Sequence, residues 1–121
     1  MRKLILITVS LLMSIGLFAQ NQNDKILGKW ENKEKTHIIE FVKNGNTYEA
    51  IIRKSKNSSV IGKKQITGLR PSTKGIYVDG ELFLYQKNTS VECSVKLVND
   101  TKIEIKASKG WMSKTEVWTK L

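Results

Sequence analysis

The run Val91-Glu92-Cys93-Ser94-Val95-Lys96-Leu97 alternates apolar and polar residues without a break, and Ile103-Glu104-Ile105-Lys106-Ala107 repeats the pattern after Asn99-Asp100. Successive side chains of a strand point to opposite faces, so this pattern predicts a hairpin with one buried face and one wet face. The same period governs the rest of the chain. His37 to Lys43 and Thr47 to Arg53 flank Asn44-Gly45-Asn46, a tight turn whose residues tolerate positive φ. In the second of these runs Tyr48, Ala50 and Ile52 are placed inward, opposite Ile39 and Phe41, and Glu49, Ile51 and Arg53 outward.

The remaining segments are shorter. Leu27 to Glu31 opens the domain, and Lys54 to Lys63 reads as a loop ending at Gly62. Lys64 to Leu69 is a short strand, and Arg70 to Gly75 a turn, because Pro71 has no N–H for a central ladder position. Ile76 to Val78 and Glu81 to Gln86 flank Asp79-Gly80, a further hairpin signal. Lys109-Gly110 breaks the chain before a last strand, Ser113 to Thr119. Asn23 to Leu27 is the one helical turn expected, capped by Asn23 or Asp24. Eight or nine short strands in up-down order predict an all-β fold, either a closed antiparallel barrel or a strongly curled meander; closure removes the exposed edges.

The compartment is read from the first residues. Arg2-Lys3 is a cationic head, Leu4 to Phe18 carries no charge, and Ala19 precedes the polar Gln20-Asn21-Gln22-Asn23-Asp24. This is the layout of a signal peptide cut after Ala19, and the apolar run falls short of the roughly 20 residues of a membrane-spanning helix. The expected domains are therefore residues 1–19, a leader, and 20–121, one barrel domain that is periplasmic or extracellular, with no membrane span after processing.

Without Arg2 and Lys3, the 21 basic residues become 19 against 11 acidic ones, a net charge of +8. Such a surface suits acidic partners. Export disfavours nucleic acid, which leaves acidic envelope polymers or phosphates; alternatively the lysines only solvate sheet faces and edges.

Chemistry has little to work with. The chain holds one His and one Cys. His37 has no second His with which to share a metal, and Cys93 alternates in phase with Val91, Val95 and Leu97, as a packed apolar residue would. Glu31, Glu40 and Glu49 point outward in the strand pattern, and no glycine-rich loop opens a helix. No catalytic residue, metal or cofactor is indicated. The aromatic residues carry the site expectation. Trp30, Phe41, Tyr48, Tyr85 and Trp118 are the candidates to line a barrel interior and meet a small apolar ligand. Trp30 and Trp118 become neighbours if the first and last strands pair.

Gly28-Lys29-Trp30 resembles the Gly-x-Trp start of lipocalins, in which Trp seals the closed barrel end. A longer series resembles the bacterial domain of unknown function 2147 family, small exported proteins with a lipocalin-like β-barrel. It runs from Ile26 to Trp30, through Gly45 to Ile52, Ile66 to Leu69, Tyr85 and Cys93 to Leu97, and ends at Lys114-Thr115-Glu116-Val117-Trp118-Thr119. The chain departs from that pattern at Leu84 to Asn88, where the family has a Tyr-Asp-Pro-type turn, and at Lys114, where it has Arg. The resemblance implies the barrel and names no catalytic residue. The function expected is a non-enzymatic binding module of the cell envelope; the competing expectation is an interaction protein that uses its basic surface.

Overall fold

The computed structural model describes residues 22–121, so the expected leader, 1–19, lies outside the described residues. A short 3₁₀ turn, Asn23–Ile26, leads into eight strands: β1 (Gly28–Asn32), β2 (Ile38–Asn44), β3 (Thr47–Lys54), β4 (Lys64–Pro71), β5 (Ile76–Leu84), β6 (Thr89–Asn99), β7 (Lys102–Lys109) and β8 (Met112–Lys120). Each pairs antiparallel with the next, and β1 pairs with β8 to close the barrel, Trp30 opposite Lys120 and Asn32 opposite Trp118. Alternation predicted the inward set correctly: Ile39, Phe41, Tyr48, Ala50, Ile52, Cys93, Val95, Ile103 and Ile105 are all buried. Glu49 faces outward but is only 9% exposed, covered from the side on which the Lys64 ammonium pairs with it at 3.2 Å.

Two expected turns are not where the sequence put them. Asp79-Gly80 lies inside the continuous strand β5, and β4 runs on through Arg70 to end at Pro71. The β5–β6 register shifts between Tyr77 and Gly80, where Asp79 has φ 63°. The β3–β4 register shifts between Tyr48 and Ala50, opposite Gly68 at φ 69°. A Cβ on Gly68 would lie 3.6 Å from the Asp79 carbonyl oxygen, so the two irregularities face each other across β4–β5. They act as β-bulges that bend two neighbouring strands together, which barrel closure requires. The tolerance of positive φ that marks a turn serves a bulge equally well. Pro71, as the last residue of β4, gives up no central ladder bond, and Ser72 to Gly75 makes the turn, with the Ser72 N–H donating to Ile76 O at 2.8 Å.

The closed end is a plug. Ile26 is fully buried under the barrel, worth about 1.5–3 kcal/mol in apolar burial. Three interior side chains reach out to hold its turn: Trp30 Nε1 donates to Ile26 O at 2.8 Å, Tyr77 Oη to Asn23 O at 2.6 Å, and Tyr48 Oη to Asp24 Oδ1 at 2.6 Å. Asn23 or Asp24 was expected to cap the turn; the cap position is Gln22, without a side-chain bond, and the Asp24 carboxylate instead serves Tyr48 and sits 3.2 Å from Lys43 Nζ. Accepting from Tyr48, and lying beside the Lys43 ammonium, holds the Asp24 carboxyl below the usual carboxylate range. Burial pushes the Tyr77 hydroxyl up to about 12 and, more strongly still, the Tyr48 hydroxyl. Cys93 is buried as expected, and its thiol is likewise pushed up to about 12.

Two outcomes follow for stability. A Cβ on Gly80 would lie 2.7 Å from Cys93 Sγ and 2.9 Å from Leu69 Cδ1, so Gly80→Ala should cost about 1–3 kcal/mol, read as a lower urea midpoint. Because the folded pKa of Asp24 is depressed, its contribution is present above pH 3.8 and is lost as pH falls through the folded value. Asp24→Asn should lower stability at neutral pH and flatten the acid limb of a stability–pH profile; an unchanged acid limb would mean that the plug is not held by this carboxylate.

Candidate functional site

The β1–β2, β3–β4, β5–β6 and β7–β8 connections of an up-and-down barrel share one end, and here that end is open. A cavity of about 910 Å³ descends from it between walls that include Ile39 on β2, Ile52 on β3, Leu82 on β5, Val91 on β6, Ile105 on β7 and Trp118 on β8. Its volume lies within the ~300–1,000 Å³ range of small-molecule sites. Toward the mouth the lining turns small or polar: Ala107 continues the inward series of β7, Ser108 and Ser113 border the opening, and β8 contributes an ion pair between Lys114 and Glu116 at 3.6 Å.

The five aromatic candidates divide between the two halves. Trp118 and Tyr85 line the cavity. Trp30, Phe41 and Tyr48 lie below it, filling the closed half with Tyr77, whose ring meets that of Tyr48 edge-on at 5.5 Å. Trp30 and Trp118 sit on the paired strands β1 and β8 and share one core. The Lys120 ammonium lies 4.9 Å from the Trp30 ring centroid and donates to Leu27 O. A side chain at position 28 would collide with it, the Cβ falling 2.9 Å from Lys120 Nζ, and Gly28 has φ 115°. The Gly-x-Trp opening thus makes room for a cation that clasps the first and last strands together.

Sequence reasoning missed a polar relay on the cavity wall. Gln65 Nε2 donates to Phe83 O at 2.5 Å, which turns its Oε1 toward His37 Nε2 at 2.7 Å and makes that nitrogen the donor. The His37 ring in turn meets Trp118 edge-on at 5.7 Å. Asn32 shapes the loop above: its Oδ1 accepts from the N–H groups of Thr36 and His37, both at 2.9 Å. The signal that finds these residues is three-dimensional, since Gln65 lies on β4 and His37 in the β1–β2 connection. One group is unsatisfied: Trp118 is 6% exposed, and its buried Nε1–H has no acceptor among the described residues. Such a donor costs about 1–3 kcal/mol unless a bound molecule or water receives it. Among the described residues no three His, Cys, Asp or Glu gather as metal ligands.

No protein-family model matches the chain, and no curated protein matches it. A solved structure does: protein HP1028 from the human pathogen Helicobacter pylori, described as belonging to the lipocalin family. The two share a TM-score of 0.66 over 79% of this chain and 82% of that one, at 16% sequence identity. The fold is lipocalin-like. At that identity the likeness speaks for the barrel alone.

Gln65→Leu should cost about 1–3 kcal/mol, because it removes both hydrogen bonds of the relay, to His37 Nε2 and to Phe83 O. Chemical denaturation measures this directly, and a neutral substitution would mean that water replaces the relay.

Proposed function

We propose that the protein is a non-enzymatic binding module that takes a small apolar molecule into the open half of its barrel. The observation that carries this reading is the cavity itself, roomy and walled by Ile39, Ile52, Leu82, Val91, Ile105 and Trp118. The apolar part of this wall stabilises a ligand by removing its surface from water, at roughly 25 cal/mol per Å². Export belongs to the same proposal and rests on Arg2-Lys3, the uncharged run Leu4 to Phe18 and Ala19. So does kinship with the 2147 family, carried by the segments Ile26 to Trp30 and Lys114 to Thr119.

Native mass spectrometry of the protein taken gently from its own cells tests both parts. A chain beginning at Gln20 is the export outcome; a chain that retains residues 1–19 overturns it. An added mass that survives high salt and is lost on denaturation is the binding outcome. In Ile105→Trp, whose indole would fill the cavity, that mass should disappear while the barrel stays folded. A bare chain, in the wild type as in the variant, would point to a protein that works through its surface.

A further inference from the structure

We propose that the open end of the barrel docks on an anionic lipid surface, with Trp111 and Met112 entering the interface. The chain has three tryptophans. Trp30 and Trp118 are buried in the barrel, whereas Trp111 is 93% exposed and Met112 is 60% exposed. Both belong to the tip of the β7–β8 hairpin, where Lys109 pairs with Met112 and Gly110, at φ 61°, allows a two-residue turn with Trp111. A turn of this kind asks for glycine and small polar residues, so folding does not require an indole there. Ile61 and Tyr85, in the β3–β4 and β5–β6 connections at the same end, are the other partly exposed apolar groups of the mouth. Amphipathic rings such as indole and phenol settle at the level of lipid headgroups.

Charge is distributed to match. The four connections at the mouth carry Lys33, Lys35, Lys56, Lys63 and Lys87 against the single acid Glu34, while the three at the closed end carry only Lys74 and Asp100. None of the five mouth lysines joins an ion pair among the described residues. Basic side chains around a protruding apolar tip form the pairing that holds a peripheral protein on an anionic bilayer, because neither the few apolar groups nor the charges suffice alone. A soluble acidic polymer would use the lysines and leave Trp111 in water; a second copy of the chain would bring like charges together. A lipid surface uses both features, and it sets the cavity opening against the bilayer.

The test is co-sedimentation of the protein with vesicles of phosphatidylglycerol and phosphatidylcholine in equal parts, and with vesicles of phosphatidylcholine alone. Binding should favour the anionic vesicles and weaken as salt rises. Tryptophan emission should shift to the blue on binding, and the shift reports Trp111 because the other two indoles are already buried. Trp111→Ala should abolish the shift and weaken binding about tenfold, and Lys56→Glu with Lys87→Glu should weaken it at least as much. Unchanged thermal midpoints show that these exposed substitutions leave the barrel intact. The proposal is overturned by failure to sediment, by equal binding of Trp111→Ala, by dextran sulfate binding as tightly as the vesicles with no spectral shift, or by self-association that Trp111→Ala abolishes. A barrel that retains a cavity ligand yet ignores vesicles would refute the docking and leave the binding module standing.

Discussion

The open cavity exists because the other end is shut by a hydrogen-bonded plug. Ile26 enters the barrel floor, and the indole of Trp30 and the hydroxyls of Tyr48 and Tyr77 reach down to the turn that carries it. Each aromatic side chain packs its apolar body into the core and hands its one polar atom to the plug, so no buried donor among them is left unpaired. The seam between β1 and β8 is tied at the same level by Lys120, stacked on Trp30 and bonded to Leu27 O. With the floor and the seam fixed in one place, the far ends of the strands are free to diverge around a space.

The two halves therefore differ in kind. The closed half saturates its polar groups and packs large aromatics against one another; the open half keeps an unpaired indole N–H, a two-member polar relay and an ion pair on its inner wall. Sites of binding characteristically leave stabilisation unrealised until something arrives. Here that unrealised stabilisation is, among the described residues, a single group, the indole N–H of Trp118.

The strands were legible in the sequence because a barrel wall with one wet face imposes period two; Val91 to Leu97 obeys it, and Tyr48 to Ile52 does so imperfectly, with Ile51 on the outward face. The turns were less so. Asp79-Gly80 has turn chemistry, yet β5 uses its positive φ and its missing Cβ to bulge past Cys93 and Leu69, and only the register of β4 and β6 reveals which use applies. Depth along the barrel axis was not legible at all. Alternation says that Tyr48 and Trp118 both face inward; it does not say that one lies in the packed floor and the other on the cavity wall. That distinction comes from where each strand crosses its neighbours, and so does the meeting of His37 with Gln65.

The same limit explains why the basic composition was hard to interpret. Spread along the chain, the lysines form no run, and solvation of sheet faces accounts for them adequately. Folding sorts them, because alternate connections of an up-and-down barrel go to opposite ends. Lys33, Lys35, Lys56, Lys63 and Lys87 all fall in connections of one parity, whereas those of the other parity are nearly neutral. At the closed end Lys25 and Lys43 are matched by Asp100 and Asp24, whereas the five lysines of the mouth connections have no such partners among the described residues and stand where Trp111 projects. Solvation alone would account for the lysines, but it gives no reason for an indole among them.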